Sequence, residues 1–255
     1  MVIGNRLWDG RKHYLDKMTL RELVAAYFAY PAIQAYIALG LIAAGLTAVS
    51  WDGHPVRVAA AALAAVVVYP LVWHLLHRYV LHGRFLYKSA RTAPLWKRVH
   101  YDHHQDPNDL GVLFGALYTT LPTVAVATLP VGWAMAGPAG AAAAFGAGMF
   151  VTCFYEFCHC IEHLRYTPKF AFLRRIKKLH LMHHFHNEQG NYGITNFLWD
   201  RLLGTFYAEA EAVARSETVF DLGYAGAERE RYPWVMRLSE AGDDARDTRS
   251  ASGDS

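Results

Sequence analysis

Four long apolar stretches, separated by polar ones, set the outline of this chain. Residues 23–50 are free of charged side chains, and residues 56–76 carry only Arg57 and His74 as strongly polar positions. Residues 112–136 and 138–157 follow, the last with Glu156 alone charged, near its end. Each stretch has about the ~20 residues that a helix needs to cross a hydrocarbon core of about 30 Å. Only helices and closed barrels satisfy their backbone in lipid, and the Ala, Leu and Val content favours helices. The pattern therefore predicts an all-α integral membrane protein with four transmembrane helices. A large soluble helical bundle is the competing reading, but four such runs in a chain that is 53% hydrophobic leave it too little polar surface.

The connectors predict two hairpins. "WDGHPVR" joins the first pair and "AGP" the second, so both tips point to one side, with the N-terminus, residues 77–110 and everything after 158 on the other. Of the 25 Lys and Arg, only Arg57 falls on the tip side. The positive-inside rule then places the other side, with both termini, in the cytosol. The net charge of +3 reads as topology and affinity for anionic headgroups, not as nucleic-acid binding. The first 22 residues are polar, so no cleavable signal peptide is expected. "SEAGDDARDTRSASGDS", residues 239–255, reads as a disordered tail, which leaves 1–238 as a single membrane domain.

Histidine changes the picture. "HYDHH" (100–104) and "HLMHH" (180–184) repeat one pattern eighty residues apart, in a chain with 14 His. His100, His103 and His104 stand at i, i+3 and i+4, on one helical face, and His180, His183 and His184 repeat this. "HCIEH" puts His159 and His163 at i and i+4, where two imidazoles can share an ion. "HRYVLH" is the odd set. His77 and His82 are five apart, about 140° around an ideal helix, and need a bend or a helix end to converge; Gly83 could supply an end. These ten histidines amount to five per ion for two ions, gathered at the expected cytosolic membrane surface. Cys153, Cys158 and Cys160 read as small packing residues, although Cys158 and Cys160 flank His159. All-nitrogen ligation suits zinc or iron. A pair of irons beside a bilayer suits O₂ chemistry on a lipid.

The series HRYVLH, HYDHH, HCIEH, HLMHH, followed by "HHFHNEQGNYGITNFLWDRLLGTFY", resembles the fatty acid hydroxylase superfamily, also called the sterol desaturase family. The resemblance runs from about His74 to Tyr207. It implies a cytosolic helical cap that carries a di-metal site. The implied ligands are His77, His82, His100, His103, His104, His159, His163, His180, His183 and His184. It implies two iron ions (zinc is an alternative in purified protein), O₂, and a membrane-bound monooxygenase that hydroxylates a long apolar lipid, a fatty-acyl chain or a carotenoid ring. There is no haem signature and no Gly-rich nucleotide fingerprint, so electrons are expected from a separate ferredoxin or cytochrome with its reductase. The Ala- and Arg-rich composition points to a bacterial inner membrane.

Three further positions stand outside the ligand series. His186 is read as a supporting donor, His74 as lining the pocket or packing, and Asp200, in the family's Trp-Asp segment, as the best carboxylate to orient an imidazole, ahead of Asp102, Asp106, Glu156 and Glu162. "KFAFLRRIKKLHLMHH" (169–184) mixes Phe170, Phe172, Leu173, Ile176 and Leu179 with five basic residues. It fits either a helix lying in the membrane interface or an ordinary amphipathic cap helix. Two other functions stay open: a lipid or sterol desaturase or oxidase using the same site, and a non-enzymatic metal-binding membrane protein. The second needs polar residues inside the spans, which the first three offer sparsely.

Overall fold

The computed structural model describes residues 13–51 and 53–240. Every regular element among them is helical, apart from one isolated bridge between Tyr14 and Asp109. The long elements are α1 (Leu20–Ala29), α2 (Pro31–Val49), α3 (Pro55–Leu76), α4 (Leu117–His163) and α5 (Ala171–Phe185).

The first apolar run is not one helix. Thr19 and Glu22 form a reciprocal cap at the start of α1, and the helix stops before Pro31, with Tyr30 extended at φ −72°, ψ 126°. A proline pushes the residue before it out of the helical region and lacks the N–H that would continue the ladder. The span begun at Leu23 on sequence grounds is therefore divided. Leu23 and Tyr27 of α1 pack into the core, and α2 keeps the 19 residues that match a membrane.

Among the described residues, three segments are long and apolar enough to cross a membrane: Pro31–Val49, Pro55–Leu81 and Leu110–His163. The chain is thus built as a multi-pass membrane protein. The third segment has 54 residues, about 80 Å if straight, far more than one crossing needs. It breaks at Ala136 (φ −152°, ψ 36°) and Gly137 (φ 55°, ψ −145°). Gly137 takes a conformation that only glycine adopts readily. Beyond the break the helix doubles back, and Gly132 and Gly140 approach so closely that a Cβ on either would strike the other's carbonyl. The "AGP" turn lies where the sequence puts it. The helix itself begins at Leu117, later than expected, because Phe114 and Ala116 are extended and the Gly115 N–H donates to Glu156 Oε1 (3.2 Å) instead of joining a helical ladder.

Both turns sit at one end of the bundle, where Val58 packs on Ala136 and Ala139. The histidines sit at the other. There the α3 face that buries Val58, Ala61, Ala65, Tyr69 and His74 ends in His77, and α4 ends in His159 and His163. Helix α5 lies against this end with Ile176, Leu179, His180, His183 and His184 buried, while Phe170 and Phe172 remain exposed. Ile176 and Leu179 thus face the core and Phe170 and Phe172 the outside, although the sequence grouped them with Leu173 as one apolar set.

A second, aromatic core of Tyr87, Trp96, Tyr101 and Tyr224 with Leu222 and Val235 ties the C-terminal segment to residues 86–101. Of the tail expected from 239, only Ser239 and Glu240 are described, and both are helical; residues 241–255 and the N-terminus lie outside the described residues.

Candidate metal centre

The ten boxed histidines converge at one end of the helices and sort into two groups of five. His77, His82, His100, His104 and His183 form the first; His103, His159, His163, His180 and His184 form the second. Within each group the ligand atoms lie within 4.8 Å of one another. Nine of the ten residues are buried, and His82 is partly so.

Helix geometry explains the sorting. Pairs at i and i+4 share a group: His100 with His104, His159 with His163, His180 with His184. Adjacent residues point about 100° apart on a helix, so each His-His dipeptide feeds both groups. His103 and His104 separate, as do His183 and His184. The two groups adjoin, with the His104 and His184 rings stacked at a centroid distance of 4.3 Å.

His77 and His82 meet by a route that the α-helical wheel excludes. Residues 77–81 form a π-helical turn, closed by the His82 N–H donating to the His77 carbonyl (3.0 Å). That wider turn brings positions five apart onto one face, and their Nε2 atoms lie 3.2 Å apart. Neither a bend nor an end at Gly83 is needed. A second π turn, residues 97–101, leads into HYDHH. Single π turns often mark functional sites.

The rings suit a cation. His77 Nδ1 lies 2.7 Å from the Tyr192 carbonyl, His104 Nδ1 3.0 Å from that of Val219, and His183 Nδ1 2.8 Å from that of Gly190. A nitrogen facing a carbonyl carries the hydrogen, so each of these neutral rings turns a bare Nε2 inward. His104 Nε2 and His183 Nε2 have no other partner. Neighbouring Nε2 atoms lie 2.8 Å apart for His82 and His100, 3.0 Å for His103 and His159, and 2.9 Å for His163 and His180. Nitrogens about 2.1 Å from one ion and at right angles to each other stand about 3.0 Å apart.

Burial pushes the His104 and His183 imidazoles down to about 3, the neighbouring rings adding to the effect. Burial, again reinforced by neighbouring imidazoles, drives His82, His100, His103, His180 and His184 well below their ordinary value. These rings are neutral at pH 7, the form that ligates metal.

The supporting residues are arranged differently from expectation. Asp200 touches no boxed ring. It is wholly buried and accepts from the N–H groups of Tyr192 (2.8 Å) and Gly193 (3.0 Å) and from the Thr205 hydroxyl (2.8 Å), with His74 Nδ1 at 3.5 Å. Burial alone would raise its carboxyl, but the His74 and Thr205 contacts outweigh it and hold it below the ordinary value. Asp200 therefore acts on His77 through the backbone of Tyr192, whose N–H donates to Asp200 and whose carbonyl accepts from the His77 Nδ1–H. His74 is buried beside it and belongs to neither group. His186 faces away, 2.9 Å from the Val213 carbonyl. Asp102 pairs with Lys97 at 2.7 Å, and Cys158 and Cys160 are buried free thiols outside both groups. The carbonyl acceptors Tyr192, Gly190 and Val219 are what sequence reasoning missed, and no side-chain signal marks a main-chain oxygen.

Two approaches reach the site. A cavity of about 180 Å³, walled by Trp73, Leu76, Val80, Leu81, Leu95 and Val99, reaches imidazoles of both groups and the side chain of Glu156. A polar pocket of about 400 Å³, lined by Arg78, Arg84, Glu188, Gln189 and Tyr192, opens over His82.

Residues 62–205, more than half the chain and including all four histidine sets, match the fatty acid hydroxylase family. The chain belongs to this family. It is 33% identical over 148 residues to a ceramide very long chain fatty acid hydroxylase of Saccharomyces cerevisiae, covering 55% of this chain and 36% of that one. It is 33% identical over 156 residues to a dihydroceramide fatty acyl 2-hydroxylase of Arabidopsis thaliana, covering 59% and 62%. It is 28% identical over 145 residues to the fatty acid 2-hydroxylase of Rattus norvegicus, covering 56% and 38%. The chain thus spans less than two thirds of each of these relatives' lengths. The solved hydroxylase domain of full-length scs7p has the same fold, with a TM-score of 0.58 at 24% identity over 80% of this chain and 71% of that one.

Proposed function

We propose that this fatty acid hydroxylase family member is a membrane-bound, O₂-dependent di-iron monooxygenase that hydroxylates a long-chain fatty acyl group. The observation that carries this reading is the convergence of ten imidazoles, nine of them buried, into two adjoining groups of five, at the foot of an apolar cavity. Bound there, two irons would supply the reduction of O₂, one oxygen atom entering a C–H bond and the other leaving as water, with two electrons and two protons from a separate ferredoxin or cytochrome. The chain's own residues do the rest. The Tyr192, Val219 and Gly190 carbonyls hold the His77, His104 and His183 rings with their Nε2 atoms inward. Trp73, Leu76, Val80 and Leu95 exclude water and guide an alkyl chain toward the rings.

Of the two substrate classes expected, the acyl chain is favoured, because the relatives are named for fatty acyl substrates. Their names also favour hydroxylation over desaturation. The doubled-back third segment supports four membrane crossings, and the single Arg57 near the tips supports a cytosolic histidine end with a helical cap. Phe170 and Phe172, exposed beside Lys169, Arg174 and Arg175, suit a helix edge resting in the headgroup layer. Residues 1–238 would make one such domain.

The test is expression of the full chain with a ferredoxin reductase system in cells of defined lipid content, under ¹⁸O₂. Extracted acyl chains should gain one labelled oxygen. His103→Ala or His184→Ala should abolish the product and leave the protein in the membrane, with Arg175→Ala near normal. Labelled carotenoid, a new double bond, or no product beside two bound irons would each overturn the reading.

A further inference from the structure

The two groups are oriented by different means. In the first, three rings donate to neutral backbone carbonyls. In the second, no ring has a backbone partner among the described residues, and the Nδ1 atoms of His103, His163, His180 and His184 have no hydrogen bond at all.

Glu162 stands beside this second group. It precedes His163 on α4 and has no exposed surface. Neither of its oxygens receives a hydrogen bond. The ring nitrogen facing it is His180 Nδ1, 3.8 Å from Oε2. Lys177, the nearby cation, is not paired with it and donates instead to the carbonyls of Ile161 (3.3 Å) and Leu164. Among the described residues, Glu162 is the only carboxylate within 4.0 Å of a ring nitrogen in either group, since Asp200 meets His74 instead. A carboxylate buried without a donor or a paired cation is costly, so its place beside a cation site calls for a partner there.

We propose that Glu162 is a positioning residue for the second group. With an ion bound, its carboxylate closes the present 3.8 Å gap, accepts from the His180 Nδ1–H and turns the Nε2 lone pair toward the ion. It also gives this group a directly facing negative charge, so the second group holds its ion more tightly than the first. A carboxylate behind a ligating imidazole raises the basicity of the ring more than a carbonyl does. The proposal rests on the two-ion reading above.

The test is titration of metal-stripped full-length protein in detergent with Zn(II) alone, against a competing chelator. The wild type should bind two ions with unequal affinity. Glu162→Gln should weaken the tighter one by about 10–100-fold and leave the other unchanged, and Glu162→Asp should restore part of the difference. The Gln effect should persist in a His82→Ala background and vanish in a His163→Ala background. Circular dichroism of the stripped variants reports folding independently. Equal affinities in the wild type, an unchanged Glu162→Gln variant, or an equal loss of both ions would overturn the proposal. A wild type that binds no ion would overturn the two-ion reading instead.

Discussion

His77 and His82 are five positions apart, yet their Nε2 atoms approach to 3.2 Å because the intervening turn is π-helical. Both face the first group, whereas His163 faces the second. Removing a ring should therefore cost one ion selectively. His82→Ala should lower iron from two per chain toward one, and His163→Ala should do the same from the other side, with turnover falling at least ~100-fold in each. Elemental analysis of the single variants against the double variant checks this. A single variant that loses both ions together would argue for one merged site.

Asp200 supports the first group from a distance. Its three acceptor bonds hold the strand of backbone that carries the Tyr192 carbonyl. Asp200→Ala strands two buried N–H groups and a hydroxyl and should destabilise the fold by at least about 3 kcal/mol. Asp200→Asn should be milder. The thermal midpoint in detergent reads the stability, and iron content reads the loosening of His77.

The doubled third segment depends on close backbone approach. Gly132→Val drives a side chain into the Gly140 carbonyl, which cannot yield because it is backbone. It should cost at least about 3 kcal/mol or prevent accumulation in the membrane. Gly45→Ala in α2 meets nothing within 4 Å and should leave stability equal or slightly raised. The two variants compared by thermal unfolding separate hairpin packing from a general effect of losing glycine.

Acid should unfold the metal-free protein. His104 and His183 titrate near 3 in the folded chain against an ordinary 6.5. Between those values the unfolded chain holds protons that the folded chain excludes, so stability rises with pH across this window and is lost as pH falls through it. Above about pH 7 these rings contribute no pH dependence. Unfolding midpoints of the stripped protein at pH 4 to 8 should climb and then level. A flat profile below pH 6 would contradict the burial of these rings.

The ligand spacing and the apolar periods were legible because both are local. An i, i+4 pair meets on any helix, and a run of about 20 apolar residues can span lipid wherever it occurs. The Pro31 break was also written in the chain, since a proline acts on its own neighbour, although the apolar run around it obscured the signal. The His77–His82 meeting was not legible, because a π turn differs from an α turn only in which carbonyl a single N–H selects.

The sequence by itself determined that this is a helical, multi-pass chain with eight histidines at metal spacing and a further pair five apart, because helix periodicity and hydrophobic length act over a few residues. Only the tertiary structure decided which five imidazoles share a group, that backbone carbonyls orient one group, and that Glu162 stands behind the other. Those relations join residues as far apart as His104 and Val219, and a contact across the fold is fixed by packing, not by the local pattern of either segment.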